Sequence, residues 1–105
     1  MRSTVPMLRR IQVMEGPLTI YTATEQKEVL LSLFPLAHEV ELDLSCVDEL
    51  DSAGLQLLIL IKRESLKEGT HLLLSNPSAT VIETFRLSGL DGYFADTPLV
   101  HLAGA

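Results

Sequence analysis

Ser52 is the side chain whose surroundings most invite chemistry. In VDELDSAGLQLL, residues 47–58, it stands between the carboxylates Asp48, Glu49 and Asp51 and a leucine-rich run, and Ala53 and Gly54 follow it directly. A hydroxyl at such a junction has three uses. It can cap the helix that the leucines predict, a job Asp51 can do equally well. It can serve as a nucleophile, which requires a histidine base within hydrogen-bond reach. It can also accept a phosphate. The nucleophile has no partner in the sequence: His38 precedes a predicted strand, His71 opens another and His101 lies near the C-terminus. That scatter also lacks the spacing of metal ligands. No Gly-x-x-x-x-Gly-Lys-Ser/Thr run is present to cradle a nucleotide. The expectation is a protein that is not an enzyme, with no catalytic residues, no metal and no cofactor.

A phosphate on Ser52 would add about −1.5 to −2 charge. The helix N-terminus favours it, through unsatisfied amides and the dipole, and the neighbouring carboxylates oppose it. Such opposition would leave the fold nearly unchanged while altering the surface potential sharply. The bare Ala53-Gly54 step is expected to give another protein room to approach the hydroxyl.

The elements that must hold Ser52 follow from periodicity. RRIQVM (9–14) alternates and reads as a strand ended by Gly16-Pro17. TEQKEVLLSLF (24–34) reads as a helix with Thr24 as N-cap, Val29, Leu30, Leu33 and Phe34 as its apolar stripe, and Pro35 as its stop. EVELDL (39–44) alternates strictly, Val40, Leu42 and Leu44 against Glu39, Glu41 and Asp43. A second helix is expected from Gly54 to Leu66, ended by Gly69, with Lys62, Arg63 and Lys67 suiting its C-terminal end. THLLLS (70–75) is a strand, and Asn76-Pro77 predicts the start of a third helix bearing Val81, Ile82, Phe85 and Leu90. PLVHL (98–102) closes the series as a strand. Strict alternation of strand and helix predicts an α/β domain with a mostly parallel sheet of four to five strands. The polar faces of the first two strands predict helices on one side only, since doubly covered strands are apolar on both faces.

The 105 residues suit one domain, taken as residues 9–103 behind a short, flexible N-terminal segment, 1–8. The 47% hydrophobic content is enough for a core, and the formal net charge of −6 argues against nucleic acid as a partner. The longest apolar run, LLILI at 57–61, is well short of the roughly 20 residues of a membrane span. No apolar stretch follows the basic N-terminus as in a secretory leader. A single cysteine, Cys46, excludes an internal disulfide and is expected as a small buried apolar side chain. These features predict a cytoplasmic protein without membrane insertion.

DELDSAGLQLL resembles the signature of the STAS domain, the family of bacterial anti-sigma factor antagonists, which reads Asp-Ser-(Ser/Thr/Ala)-Gly-Leu. GPLTIYTATEQ (16–26) is similar to the family's Gly-Glu-Leu-Asp-Ile-Tyr-Thr-Ala-Pro-Glu-Leu segment, and NPSATVIETFRLSGLDGYF (76–94) to its third-helix stretch. The resemblance spans residues 9–102. It implies a small α/β domain that acts by binding, with Ser52 phosphorylated by a partner that is both serine kinase and anti-sigma factor. The unmodified form would hold the partner and the phosphorylated form release it. Asp51 falls where the family orients the serine, and Gly54-Leu55 where it starts the interface helix. Asp51, Ser52, Ala53, Gly54, Leu55 and Thr19 are thus the implied partner-binding residues. Thr19 and Pro17 stand where the family carries Asp and Glu. Thr19 with Ala53 resembles STAS proteins of other systems, such as the small subunit on the ATPase of a lipid-transporting ABC importer or chemotaxis-type signalling clusters. A distant alternative is a receiver-like domain phosphorylated on Asp43, which ends a strand but lacks the acidic pair and lysine such a domain requires.

Overall fold

The computed structural model describes residues 8–90 and 99–100. The elements run β1 (Arg9–Val13), α1 (Ala23–Leu33), a 3-10 turn (Phe34–Leu36), β2 (Glu39–Asp43), α2 (Ser52–Glu68), β3 (His71–Ser75), α3 (Ala79–Ser88) and β4 (Leu99–Val100). All strand pairs are parallel and the sheet order is β1-β2-β3-β4. Right-handed crossovers that always step in one direction place every helix on the same face of the sheet. The expected closing strand is represented by Leu99–Val100. The rest of it, most of the N-terminal segment, and the Asp91–Phe94 end of the third similar stretch lie outside the described residues.

The core lies between the sheet and this one helical layer. Val40, Leu42 and Leu44 of the β2 stretch are fully buried, and the parallel register sets Val40 beside Leu72 and Leu42 beside Leu74. Leu30, Phe34, Leu57, Leu58, Ile61, Val81 and Phe85 cover them from the helices. Gly69 ends α2 in the left-handed conformation, φ 71°, where glycine alone is unstrained.

Several expectations need correction. Of the polar side chains of β1 Arg9 faces outward, but Arg10 and Gln12 do not. Register puts Ile11 beside Glu41 and Val13 beside Asp43, so its apolar pair lies on the helix-free face, 59% and 40% exposed. Among the described residues β1 is the edge strand, and its core-facing positions, Arg10 and Gln12, fall at the margin of the helical layer. Met14 fills the core there instead, fully buried. Glu41 was expected to be solvated, but it is buried and bonded by the Arg9 guanidinium, which also grips Glu39 at 2.9 Å.

The helix caps also shift. α1 begins one residue before Thr24, with Thr22 at the N-cap position. Ser78, not Asn76, caps α3: Asn76 sits at φ 48°, outside the extended region a cap needs, while Ser78 is extended and its Oγ accepts from the Val81 amide. Val29 and Ile82, expected in the apolar stripes, are 41% and 49% exposed. A single layer of helices leaves the flanks of each stripe in solvent. For the same reason Leu55, Ile59 and Leu60 of α2 are only partly buried and Leu66 is exposed.

The Arg9–Glu41 pair gives a direct test, since removing Arg9 leaves a buried carboxylate without its cation. Arg9→Met should lower unfolding free energy by about 1–2 kcal/mol, below the full cost of breaking a buried pair because Arg9 itself is half exposed. In a Glu41→Leu background the same substitution should cost almost nothing, as read by a urea-denaturation double-mutant cycle.

Candidate partner-binding site

The site lies at the carboxyl ends of β1 and β2, where parallel sheets commonly place their functional loops. Two loops meet there, Met14–Thr22 and Leu44–Asp51. The Leu18 amide donates to the Glu49 carbonyl at 2.9 Å, the Asp51 amide donates to the Leu18 carbonyl at 3.3 Å, and Leu18 and Leu50 form a short parallel bridge. The first loop is knotted by its threonines. Thr22 Oγ1 accepts from the Thr19 amide at 3.0 Å and donates to the Pro17 carbonyl at 2.8 Å. Thr19 Oγ1 accepts from the Tyr21 amide at 3.3 Å, and the Thr19 carbonyl receives the amides of Thr22 and Ala23.

Asp51 joins the loops to α2. It is the N-cap, in extended conformation, and its two carboxylate oxygens have separate tasks. Oδ1 accepts from the Gly54 amide at 3.0 Å, and Oδ2 accepts from the Ile20 amide at 3.1 Å. These amide donors, Gly54 first, hold its carboxyl below the ordinary value of 3.8. Ser52 is the first residue of α2; it is exposed, and its hydroxyl makes no hydrogen bond among the described residues.

Gly54 does not serve the purpose expected of it. It is buried, and a Cβ there would stand 2.2 Å from the Leu18 carbonyl oxygen and 2.8 Å from Leu50 Cδ1. The missing side chain lets the first loop press on the helix; it does not open space for a partner. Ala53, partly buried, faces the seam between α1 and α2, and Leu55 packs at the margin of the core. Thr19 is partly buried and turned to its own loop. Of the six expected partner-binding residues, Ser52 alone is exposed.

Sequence reasoning passed over Ile20 and Tyr21. They sit on the tip of the threonine-knotted loop, 68% and 92% exposed, with the Ile20 amide on the carboxylate of the residue before Ser52. Their signal was present: two large apolar residues between threonines, in a loop with no periodic partner. Asp48 and Glu49 are exposed beside them, and the Asp48 carbonyl is tied to α3 through Thr80 Oγ1 at 3.5 Å. The face therefore combines an apolar knob, a free hydroxyl and a fringe of carboxylates.

The remaining candidates lie elsewhere or are otherwise engaged. His38 accepts from the Leu8 amide and His71 faces Glu39 at 3.6 Å, both at the amino ends of their strands, the opposite edge of the sheet from Ser52. Asp43 is held below its ordinary value, chiefly by hydrogen bonding to the Ser45 side chain, and also accepts from Asn76; it ties the corner after β2. Cys46 was expected to be buried, but it is exposed, because Leu44 and Val47 on either side take the inward positions. Among the described residues no group of acids, histidines and cysteine is arranged to hold a metal, and no helix is long and apolar enough to cross a membrane.

Two predictions follow from this packing. Gly54→Ala gains about 1 kcal/mol of helix propensity but overpacks against a backbone atom, a change that costs about 1–3 kcal/mol. The 2.2 Å contact places it at the upper end. A net loss of about 2 kcal/mol is expected, seen as a melting temperature lower by about 10 °C. For Asp51, a depressed folded-state value means its contribution to stability is complete above the unfolded value near 3.8 and is lost as pH falls through the folded value. Asp51→Asn should keep the helix cap and remove this titration. The variant's urea midpoint should thus fall less than the wild-type midpoint when both are acidified below pH 4.

Comparison with known proteins adds the family context. The family model described as the STAS domain matches residues 9–103. Among solved structures, the chain is similar to a sulfate transporter family protein from Wolinella succinogenes, at TM-score 0.76 and 23% identity over 93% of this chain and 80% of that one. It is also similar to the SulP transporter STAS domain from Vibrio cholerae, at TM-score 0.69 and 23% identity, covering 94% and 77% of the two chains. The anti-sigma factor antagonist SpoIIAA in its unphosphorylated form matches at TM-score 0.71 and 18% identity, covering 96% and 85%. At these identities the likeness to solved structures speaks for the fold.

Proposed function

Because the chain belongs to the STAS domain family, we propose that it is a non-enzymatic regulator that binds a protein partner through the Ser52 face and releases it when Ser52 is phosphorylated. The partner class that the motif implies is a serine kinase that is also an anti-sigma factor. The observation that carries the reading is the state of the α2 N-terminus. The Asp51 carboxylate already sits at the helix end and accepts from the Gly54 amide, and the Ser52 hydroxyl is exposed and makes no hydrogen bond among the described residues. A phosphate there would not be drawn into the helix end. It would project into solvent beside Asp48, Glu49 and Asp51, adding about −1.5 to −2 charge to an acidic rim. No buried contact is asked to change, so the effect falls on the partner: like-charge repulsion and a polar group beside the Ile20–Tyr21 knob.

A second reading is a STAS subunit serving a transport ATPase or a chemotaxis-type kinase without phosphorylation. Thr19 favours it, since the hydroxyl there is used within its own loop and supplies no acid to the surface.

The test uses wild-type and Ser52→Asp protein as paired baits in extract of the native cell, with captured proteins identified by mass spectrometry and the affinity of the main partner then measured. The switch predicts a kinase captured by wild type and bound at least about tenfold more weakly by Ser52→Asp, with equal thermal stability of the two baits. It also predicts phosphate on Ser52 after incubation with that kinase and ATP. Equal affinity of the two baits, or phosphate on another residue, would sink it. A transport ATPase held equally by both would favour the second reading.

A further inference from the structure

Beyond Ser52, the seam between α1 and α2 forms an open groove of about 330 Å³. Its floor is apolar, with Ala23 from α1 and Ala53, Leu57 and Leu60 from α2; Lys27 stands on one wall and Arg63 on the other. No carboxylate lines it, in a chain whose formal net charge is −6. Three other basic side chains are neutralised locally: Arg9 by Glu39 and Glu41, Lys67 by Glu64, and Arg86 by Glu83. Lys27 and Arg63 have no carboxylate partner among the described residues. Two like charges are thus held over one apolar trough and left unneutralised, which an acidic occupant would correct.

From this charge pattern and shape we infer that the groove is a docking site for an acidic amphipathic helix of a partner protein. The inference rests on the proposed function, because the groove begins at Ala53, the neighbour of Ser52. From Ala53 to Arg63 it follows α2 for about 15 Å. That is the length of about three helical turns, enough for anchors at three- and four-residue spacing. The floor takes leucine-type side chains of the occupant, and Lys27 and Arg63 take carboxylates on its flanks. A small anion is a poorer fit, because the two cations stand on opposite walls of an elongated apolar surface. The partner therefore covers two adjoining areas: the Ser52 face, where added charge repels it, and the groove, where opposite charge holds it.

The probe is a synthetic helical peptide of about 15 residues, with leucines on one face and glutamates beside them, compared with a version carrying lysine at every glutamate. Each is titrated into the isotope-labelled full chain and followed by amide chemical shifts. The acidic peptide should give saturable shifts at Ala23, Lys27, Ala53 and Arg63, and the lysine version should not. Lys27→Glu/Arg63→Glu should weaken the acidic peptide at least about tenfold. Both side chains are exposed, and the double variant should melt as wild type does. Ser52→Asp should change peptide affinity by less than about threefold. Absence of saturable shifts in the groove, or an equal response to the lysine peptide, overturns the inference. Shifts of the same amides with phosphatidylglycerol vesicles and none with the peptide would overturn it in favour of a membrane surface. The two readings fail separately: a groove that binds peptide while Ser52→Asp keeps its native partner defeats only the switch, and the converse defeats only the groove.

Discussion

Everything on the Ser52 face depends on the Asp51 carboxylate being shared between two backbones. One oxygen caps α2 at the Gly54 amide and the other fixes the Ile20 amide. A neutral amide side chain can accept on only one of its two terminal atoms, so accepting one hydrogen bond on each terminal atom calls for a carboxylate. Gly54 completes the junction by admitting the Leu18 carbonyl to a space that any Cβ would fill. Together they turn two loops and a helix end, which would otherwise move independently, into one surface with Ile20, Tyr21 and Ser52 at fixed separations.

The sheet sets where this surface can be. With all strands parallel and stepped in one direction, the loops after β1 and β2 emerge side by side at the same edge. The helices that follow them, α1 and α2, then lie adjacent on one face. That adjacency produces both the hydroxyl-bearing junction and the apolar seam with Lys27 and Arg63. At the opposite edge of the sheet Arg9 and His71 flank Glu39, and His38 accepts from the Leu8 amide, away from Ser52.

The order of elements was fully legible in the sequence, because alternating and helical periods are set by which side chains must be buried together. Val40, Leu42 and Leu44 are the clearest case. What periodicity could not reveal was the behaviour of an edge. β1 has a pattern as regular as that of β2, yet its apolar residues face away from the helices, since register with a neighbour overrides a strand's own alternation where the covering layer ends. Ser52 and Asp51 stood out as residue types in the right place, but the reason for Gly54 did not. A glycine that relieves a backbone contact and one that opens space to a visitor look identical in sequence. Ile20 and Tyr21 escaped for a related reason: their exposure follows from the local hydrogen bonds of the threonine knot together with the long-range bond from the Ile20 amide to Asp51.

The sequential sheet has a further consequence for how the chain is made. Among the described residues each strand pairs only with its neighbours in sequence, across separations of roughly thirty residues at β1–β2 and β2–β3. No strand must wait for a later one to be inserted between two already paired. Loop closure is therefore incurred in moderate, successive steps, the condition under which an α/β chain folds quickly for its size. During synthesis the sheet can be laid from one edge to the other: the Asp51 contacts to Gly54 and Ile20 can form once α2 has docked on the first two strands, and α3 then ties down the loop before Ser52 through Ser78 and Thr80.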